Sequence, residues 1–389
     1  MPVEAAIIAE DKLVDSMTST AHKSPSHRRK SCASSPRVAL YASRNPLITI
    51  AIPTFNRAAM LKDCILSALS QTYQNFEVIV SDNASTDETQ EVLKSFCDRR
   101  LRVVRQKTNI GLLPNWNACL AEANGEYIVI VADDDKIAPW LLERSVALVK
   151  IDSQIPIVIA LPDIYFASVG RTRRAQSKLG TGVWDGIDIL EELLKSQMIA
   201  GMSTFMMRTD ALRARGGFPV DFLHAADMAV WVPLLFIGRA GFVSESCGTL
   251  CLHDARETTR LAIDLRLSDC EKVSSQIAVL ADRSIDDPKK RERIKFLAKR
   301  FFARSTFAHL AQFRREGAKL TDVLPLFWHW RYNLKNVGMS YTFRLAITLT
   351  ALVLPVRIMV WSRHIRSNFR DVLNLKSSKG LPSVRLNRG

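Results

Sequence analysis

The sequence predicts an α/β fold: a mostly parallel sheet with helices on both faces, followed by a helical C-terminal region. Two observations predict it. From Pro46 to about Ala160, strand-like and helix-like runs alternate, and a β-α-β-α order means parallel strands covered on both faces. Beyond about Leu261 the strand pattern stops, and the chain becomes helical and mixed in charge. The expected organisation is a disordered basic tail over 1–45, an α/β domain over 46–260 and a helical region over 261–389.

Residues 1–45 read as a tail because His22–Arg37 is rich in Ser, Pro, Lys and Arg and has no apolar periodicity. Such a stretch cannot bury enough surface to order itself. It is not a secretory signal, since no continuous apolar run follows the basic start. Leu47–Ile52 then reads as a strand running into Pro53-Thr54-Phe55-Asn56-Arg57. Helix Ala58–Leu69 places Leu61, Ile65, Ala68 and Leu69 at helical spacing. Strand Glu77–Ser81 runs into Asp82-Asn83-Ala84-Ser85-Thr86-Asp87. Ser85-Thr86-Asp87-Glu88 reads as a capping box opening helix Thr86–Phe96.

Basic strand Leu101–Arg105 leads to Asn109-Ile110-Gly111, and Pro114 precedes a helix with Trp116, Cys119 and Leu120. Strand Tyr127–Ala132 runs into Asp133-Asp134-Asp135. Pro139 suits the start of helix Trp140–Lys150, and Ile157–Leu161 is a further strand. Residues 162–180 read as a polar connection containing Arg171-Thr172-Arg173-Arg174. Helix Ile187–Gln197, strand Thr204–Arg208, helix Asp210–Ala214 and the turn Gly216-Gly217-Phe218 follow. Leu223–Ile237 reads as a helix, then Gly241–Ser244 and Gly248–His253 as two short strands. The stretch 343–361 is strongly apolar, but its uninterrupted core, Leu345–Val356, is about 12 residues, against about 20 for a spanning helix. Arg344, Arg357, Trp328, Trp330 and Trp361 around it suit a segment lying at a membrane interface.

The formal net charge of +15 points to a polyanionic partner. No RNA-binding or helix-turn-helix pattern interleaves aromatics with the basic clusters, so the expected partner is an anionic membrane surface and not nucleic acid. Seven scattered cysteines without a Cys-x-x-Cys pair indicate neither a disulfide framework nor a zinc ribbon, and they suggest a reducing compartment. Cys247, Cys251 and His253 fit a buried strand pair better than a metal site.

In an open parallel sheet, ligands bind beyond the carboxyl ends of the strands. Three adjacent carboxylates there repel one another unless a cation neutralises them. Mg2+ or Mn2+ needs only one or two protein carboxylates when diphosphate oxygens and water complete its shell. Asp82 can accept a hydrogen bond from a nucleobase N–H, with Pro53 and Thr54 lining the base pocket, and Arg57 faces a phosphate or solvent. Asp227 stands on an apolar stretch, where an acid is costly unless it is paired or functional.

Ile50-Ala51-Ile52-Pro53-Thr54-Phe55-Asn56-Arg57 resembles the opening of family 2 glycosyltransferases of the Rossmann-like GT-A fold. The block from Asn75 to Asp87 resembles that family's second motif. Asn109-Ile110-Gly111, Asn115-Trp116-Asn117 and Gly125-Glu126-Tyr127-Ile128 resemble the approach to its metal motif. The resemblance spans about residues 47–260. It implies an inverting sugar transfer from a nucleotide-sugar donor, with a lean to UDP, assisted by Mn2+ or Mg2+. It assigns the donor to Pro53, Thr54, Asn56, Arg57, Asp82, Asn83, Asn109, Gly111 and Asp133, and the metal to Asp134 and His253. It makes Asp227 the base that deprotonates the acceptor; His224, three residues earlier, is a competing base at a position the family does not match. Ala132 departs from the family's Asp-x-Asp. The loop with Arg256 and Thr258 is expected to close over the donor. The expected acceptor is a glycan or a lipid-linked glycan, on the cytoplasmic, inner face of a membrane. Two rival readings are a catalytically silent nucleotide-sugar-binding scaffold and a nucleotidyltransferase. The second usually has a Gly-rich loop followed by Arg and Lys after the first strand, which Pro53–Arg57 lacks.

Overall fold

The computed structural model describes residues 45–195, 201–253, 261–315 and 317–334. The tail up to residue 44, the loop with Arg256 and Thr258, and the apolar stretch 343–361 lie outside them. The chain divides into two compact units, Met1–Asp221 with Ala226–Arg256, and Phe222–Ala225 with Glu257–Gly389.

The first unit is built on β1 (Ile48–Thr54), β2 (Phe76–Asp82), β3 (Leu101–Arg105) and β4 (Tyr127–Ile130). β1 runs parallel to β2 on one side and to β4 on the other. All seven of its residues are buried, because helices cover both faces. Each apolar side chain so buried contributes about 1.5–3 kcal/mol, and Ile48, Ile50 and Ile52 are fully buried. β3 is the edge and alternates between half-buried and exposed residues. Helices α1 (Ala58–Leu69), α2 (Thr89–Lys94) and α3 (Leu112–Glu122) make the crossovers.

Past β4 the sheet becomes mixed, with antiparallel pairs beside the parallel β6–β10 pair. β5 (Lys136–Ile137), α4 (Leu141–Ile151), β6 (Ile157–Phe166), β7 (Arg171–Arg173), β8 (Gly182–Asp185), α5 (Gly186–Lys195), β9 (Phe205–Arg208), α6 (Thr209–Ala214), α7 (Ala226–Leu235) and β10 (Arg239–Leu252) follow. The strand order is β3-β2-β1-β4-β9-β6-β10-β5, with β7 on β6 and β8 on β10. β9 is antiparallel to both β4 and β6. β5, β7 and β8 were not visible in the sequence, since two to four residues carry no usable periodicity.

Three expected elements are corrected by the structure. The capping box over Ser85–Glu88 does not form. Ser85 Oγ accepts from Asn56 N at 2.9 Å, and Asp87 Oδ2 accepts from Ala58 N at 3.1 Å, while Asp87 Oδ1 accepts from Thr89 N at 3.1 Å. These side chains cap the start of α1 as well, so α2 begins only at Thr89. The helix expected from Leu223 begins at Ala226, because the N–H groups of Leu223 and His224 both donate to Asp269 Oδ2 at 2.7 Å. The two strands expected over 241–253 are one strand, β10, whose parallel pairing with β6 continues across two register shifts. Such bulges re-aim the residues that follow.

The second unit contains α8 (Ile263–Ser284), α9 (Pro288–Arg315) and α10 (Leu320–Leu334). Asp287 Oδ1 accepts from Lys289 N at 2.9 Å ahead of Pro288, a residue suited to the first helical position. Ile263 and Leu267 at the start of α8 meet Leu310 near the end of α9, so the two run antiparallel, and Val323, Phe327 and Trp330 of α10 complete the cluster. Among the described residues no helix is long and apolar enough to cross a membrane.

Burial raises the Asp87 carboxyl, but hydrogen bonds from Thr89 and Ala58 outweigh it and hold the group below its ordinary value. Asp87→Ala is expected to lower stability by about 1–2 kcal/mol in urea unfolding at pH 7. A depressed carboxylate stabilises above its unfolded pKa of about 4, so the difference from wild type should shrink as pH falls below that value.

Candidate active site

The carboxyl ends of β1, β2 and β4 lie side by side. In register, Thr54 is opposite Asp82 and Pro53 opposite Ser81. Thr54 Oγ1 also donates to Asp133 Oδ2 at 2.7 Å. Thr54 therefore stands between the end of β2 and the loop after β4, beside Asp82 in register and bonded to Asp133.

The three carboxylates are met differently. Burial pushes the Asp133 carboxyl up to about 7, against the Thr54 hydroxyl that lowers it; the Asp134 charge raises it, and Arg57 and the Phe55 N–H lower it. Asp135 is likewise pushed up to about 7, by burial and then by Asp134. Ser203 Oγ donates to Asp135 Oδ2 at 2.5 Å, and Cys251 N donates to Asp135 Oδ1 at 2.9 Å. Ser203 Oγ in turn accepts from Ala132 N at 3.1 Å. Asp135 thus ties the acidic turn to the 3-10 turn Met202–Thr204 and to β10. Asp134 keeps one carboxylate oxygen beside His253 Nε2, at 2.8 Å. That histidine directly follows β10, whose last residues pair in regular register past the two shifts.

Past the triplet, α1 and the residue just beyond its C-cap hold the chain. Gln71 Nε2 donates to Ala138 O at 2.9 Å, Gln71 Oε1 accepts from Leu142 N at 3.1 Å, and Ser67 Oγ accepts from Ile137 N at 3.2 Å.

The residues expected to hold the donor are joined by loop-to-loop bonds. Asn56, at φ 52°, accepts from Thr86 N at 2.8 Å. Asn83 Nδ2 donates to Asn109 Oδ1 at 2.8 Å and to Gly111 O at 3.2 Å, and Asn83 Oδ1 accepts from Ile110 N at 2.9 Å. Gly111 turns there with φ 94°, a conformation that favours glycine. Asp82 is fully buried and engaged: Ser85 N donates to Oδ1 at 2.9 Å, Gln90 Nε2 donates to Oδ2 at 2.5 Å, and Arg105 Nε lies 3.6 Å away. A nucleobase N–H reaching Asp82 would displace Gln90.

Asp227 begins α7 and accepts from Met228 N at 2.8 Å. Burial pushes its carboxyl up to about 6, while the Met228 and Asp227 N–H groups lower it. One turn on, on the same helix side, Trp231 packs edge-to-face on Phe205 at 5.6 Å. Trp231 is thus a core residue, and Phe205 follows the turn that holds Asp135. Gly216 and Gly217 both have positive φ, and a Cβ on Gly217 would lie 2.4 Å from Asn117 Oδ1. That turn is gripped by Asn117, whose amide exchanges two hydrogen bonds with the Phe218 backbone at 2.7 and 2.8 Å. Ser203, Gln90 and Gln71 were missed in the sequence, where nothing separates them from ordinary polar residues. Asn117 was noticed only as part of a motif.

Asp134 and His253 together offer two ligands, which fits a divalent cation that draws the rest of its shell from phosphate and water. Asp133 and Asp135 face their own hydroxyl partners.

Residues 49–215 match the model for glycosyl transferase family 2. A Mycobacterium tuberculosis protein of uncharacterised function is 27% identical over 224 residues, 56% of this chain and 70% of that one. Hyaluronan synthase of Pasteurella multocida is 27% identical over 217 residues, 55% of this chain but 21% of the synthase. Among solved structures, S. aureus TarS 1–349 superposes with a TM-score of 0.56 at 18% identity, covering 80% of this chain and 82% of that one. At that identity the likeness is one of fold. Fold, crevice and matches define a glycosyltransferase of the GT-A class. Residues 49–215 thus form a domain of the glycosyl transferase family 2 type.

An acid whose pKa is raised by folding destabilises the native state as pH climbs from about 4 to about 7, because the unfolded chain then holds fewer protons. Asp135→Asn keeps the shape and removes the charge. With chelator present, the variant should match wild type near pH 3 and gain on it as pH climbs from about 4 to about 7, by up to about 4 kcal/mol at pH 8, in thermal or urea unfolding.

Proposed function

We propose that this enzyme is an inverting transferase that moves a sugar from a nucleotide-sugar donor, UDP-linked by preference, to a glycan or lipid-linked acceptor. The observation that carries the reading is the paired arrangement at neighbouring strand ends, Thr54 on Asp133 and Asp134 on His253. It supplies a half-buried acid for a ribose hydroxyl next to a two-ligand cation position. The TarS structure in complex with UDP supports trying uridine donors first. Pro53, Thr54, Asp82 and the Asn83–Asn109–Gly111 wall would enclose the nucleoside, with Asn56 and Arg57 at the phosphate side.

When bound, Mn2+ or Mg2+ at Asp134 and His253 would neutralise the departing diphosphate. Asp227 acts on the other side of the sugar. Its carboxylate takes the acceptor hydroxyl proton as that oxygen bonds to the anomeric carbon, the bond to the diphosphate breaks, and nucleoside diphosphate leaves. A base must be ionised, so turnover should fall about tenfold per pH unit below about 6, the value to which burial raises Asp227. The net charge of +15 supports work at an anionic membrane surface, at the inner, cytoplasmic leaflet.

Full-length protein incubated with UDP-sugars and Mn2+ should release UDP. Asp134→Ala should abolish this release, and Asp227→Asn should lower kcat by about 10^2–10^4-fold with donor binding retained. Pyrophosphate as product, or turnover that survives Asp134→Ala, would refute the reading. Flotation with anionic vesicles at physiological salt tests the membrane part; protein left at the bottom of the gradient removes it.

A further inference from the structure

The second unit holds a cluster that the glycosyl-transfer reading does not use. His224 lies before α7, Cys270 on α8 and His309 on α9. One ligand-type atom from each falls within 4.8 Å of the others. The two imidazole rings meet edge-to-face, with centroids 4.7 Å apart and planes at 80°. Cys270 is buried and both histidines are half-buried.

Three segments distant in sequence converge here, and each is held. Cys270 and His309 stand on helices of 22 and 28 residues. The His224 backbone is pinned by Asp269, the neighbour of Cys270, whose Oδ2 accepts from both Leu223 N and His224 N. Lys272 Nζ donates to the other oxygen of that carboxylate at 3.1 Å. Among the described residues, His309 Nδ1 is buried without a hydrogen-bond partner, an arrangement that costs about 1–3 kcal/mol unless something else occupies the lone pair.

We propose that His224, Cys270 and His309 form a site for one borderline-soft divalent cation of the Zn2+ type. One thiolate with two imidazoles is a donor set such ions take, with water or a further ligand in the fourth position. Mg2+ and Mn2+ prefer oxygen donors, so the site is chemically distinct from the Asp134–His253 pair. Ligand atoms around a tetrahedral Zn2+ lie about 3.3–3.8 Å apart, so the cluster would contract by about 1 Å, which side-chain rotation alone can supply. Binding releases the Cys270 thiol proton to solvent and leaves the site one positive charge richer. The Arg266 guanidinium, which acts electrostatically on His309, opposes that charge but favours the thiolate. Burial, then His224 and Arg266, push the His309 imidazole down to about 3, so it is neutral and able to ligate at pH 7. A bound ion would cross-link α8, α9 and the His224 segment, which couples ion binding to folding of this unit.

The test uses the full chain, freed of metal by chelator and titrated with Co2+ as a spectroscopic stand-in for Zn2+. Wild type should take up about one Co2+ per chain with a thiolate-to-cobalt charge-transfer band, which Zn2+ then bleaches. Asp134→Asn should keep the band, and so should Cys97→Ser, which removes an exposed thiol. Cys270→Ser and His309→Phe should lose it, with circular dichroism checking that they fold. Zn2+ should raise the melting temperature of wild type by several degrees and leave that of Cys270→Ser unchanged. Absence of the band in wild type overturns the proposal without recourse to any variant. A band that persists in Cys270→Ser, or that vanishes with Asp134→Asn, overturns it equally.

Discussion

Burial of the Asp133 and Asp135 carboxyls, with the repulsion of the adjacent Asp134 added, is the constraint around which the end of β4 is built. Three carboxylates at the end of one buried strand cannot all be solvated by water. The fold meets each with a separate device. Asp133 receives the Thr54 hydroxyl from the neighbouring strand, Asp135 receives Ser203 and the Cys251 N–H, and Asp134 is placed beside His253. Two of the three are still pushed up to about 7 by burial. That residual cost is what a divalent cation would relieve, and it connects the packing of the site to the chemistry proposed for it.

Much of the less regular architecture serves the same end. The antiparallel β9 begins next to the 3-10 turn that carries Ser203. The shifts in β10 re-aim Cys251 and His253, and β5 anchors that strand directly behind the triplet. Gln71, just past the end of α1, bonds to Ala138 O and Leu142 N and so fixes the chain that follows the triplet. These elements are the ones that break the parallel βα repeat.

Legibility in the sequence followed the range of the interaction. β1 and β2 were recognisable because a strand covered on both faces is a continuous apolar run, and the Asp133–Asp135 run was conspicuous at the end of another. Ser85 and Asp87 were read as a local cap for the helix that follows them, and they serve the start of α1 as well, 29 residues back in the chain. The start of α7 was placed too early because Asp269, 45 residues later, holds the His224 backbone outside the helix. Ser203 was invisible, since a single serine in a polar turn carries no periodicity.

The sequence by itself determined the α/β class, the succession of the main strands and helices, and the polar residues set at the strand ends. Each of these depends on side chains within a few positions of one another, and burial or helical spacing writes a local pattern. Only the tertiary structure decided which carboxylate meets which partner. Asp135 finds Ser203 across 68 residues, and Asp134 finds His253 across 119. Those pairings depend on strand order, on the direction of β9 and on the shifts in β10, which arise when sheets pack and leave no mark in any short stretch of chain.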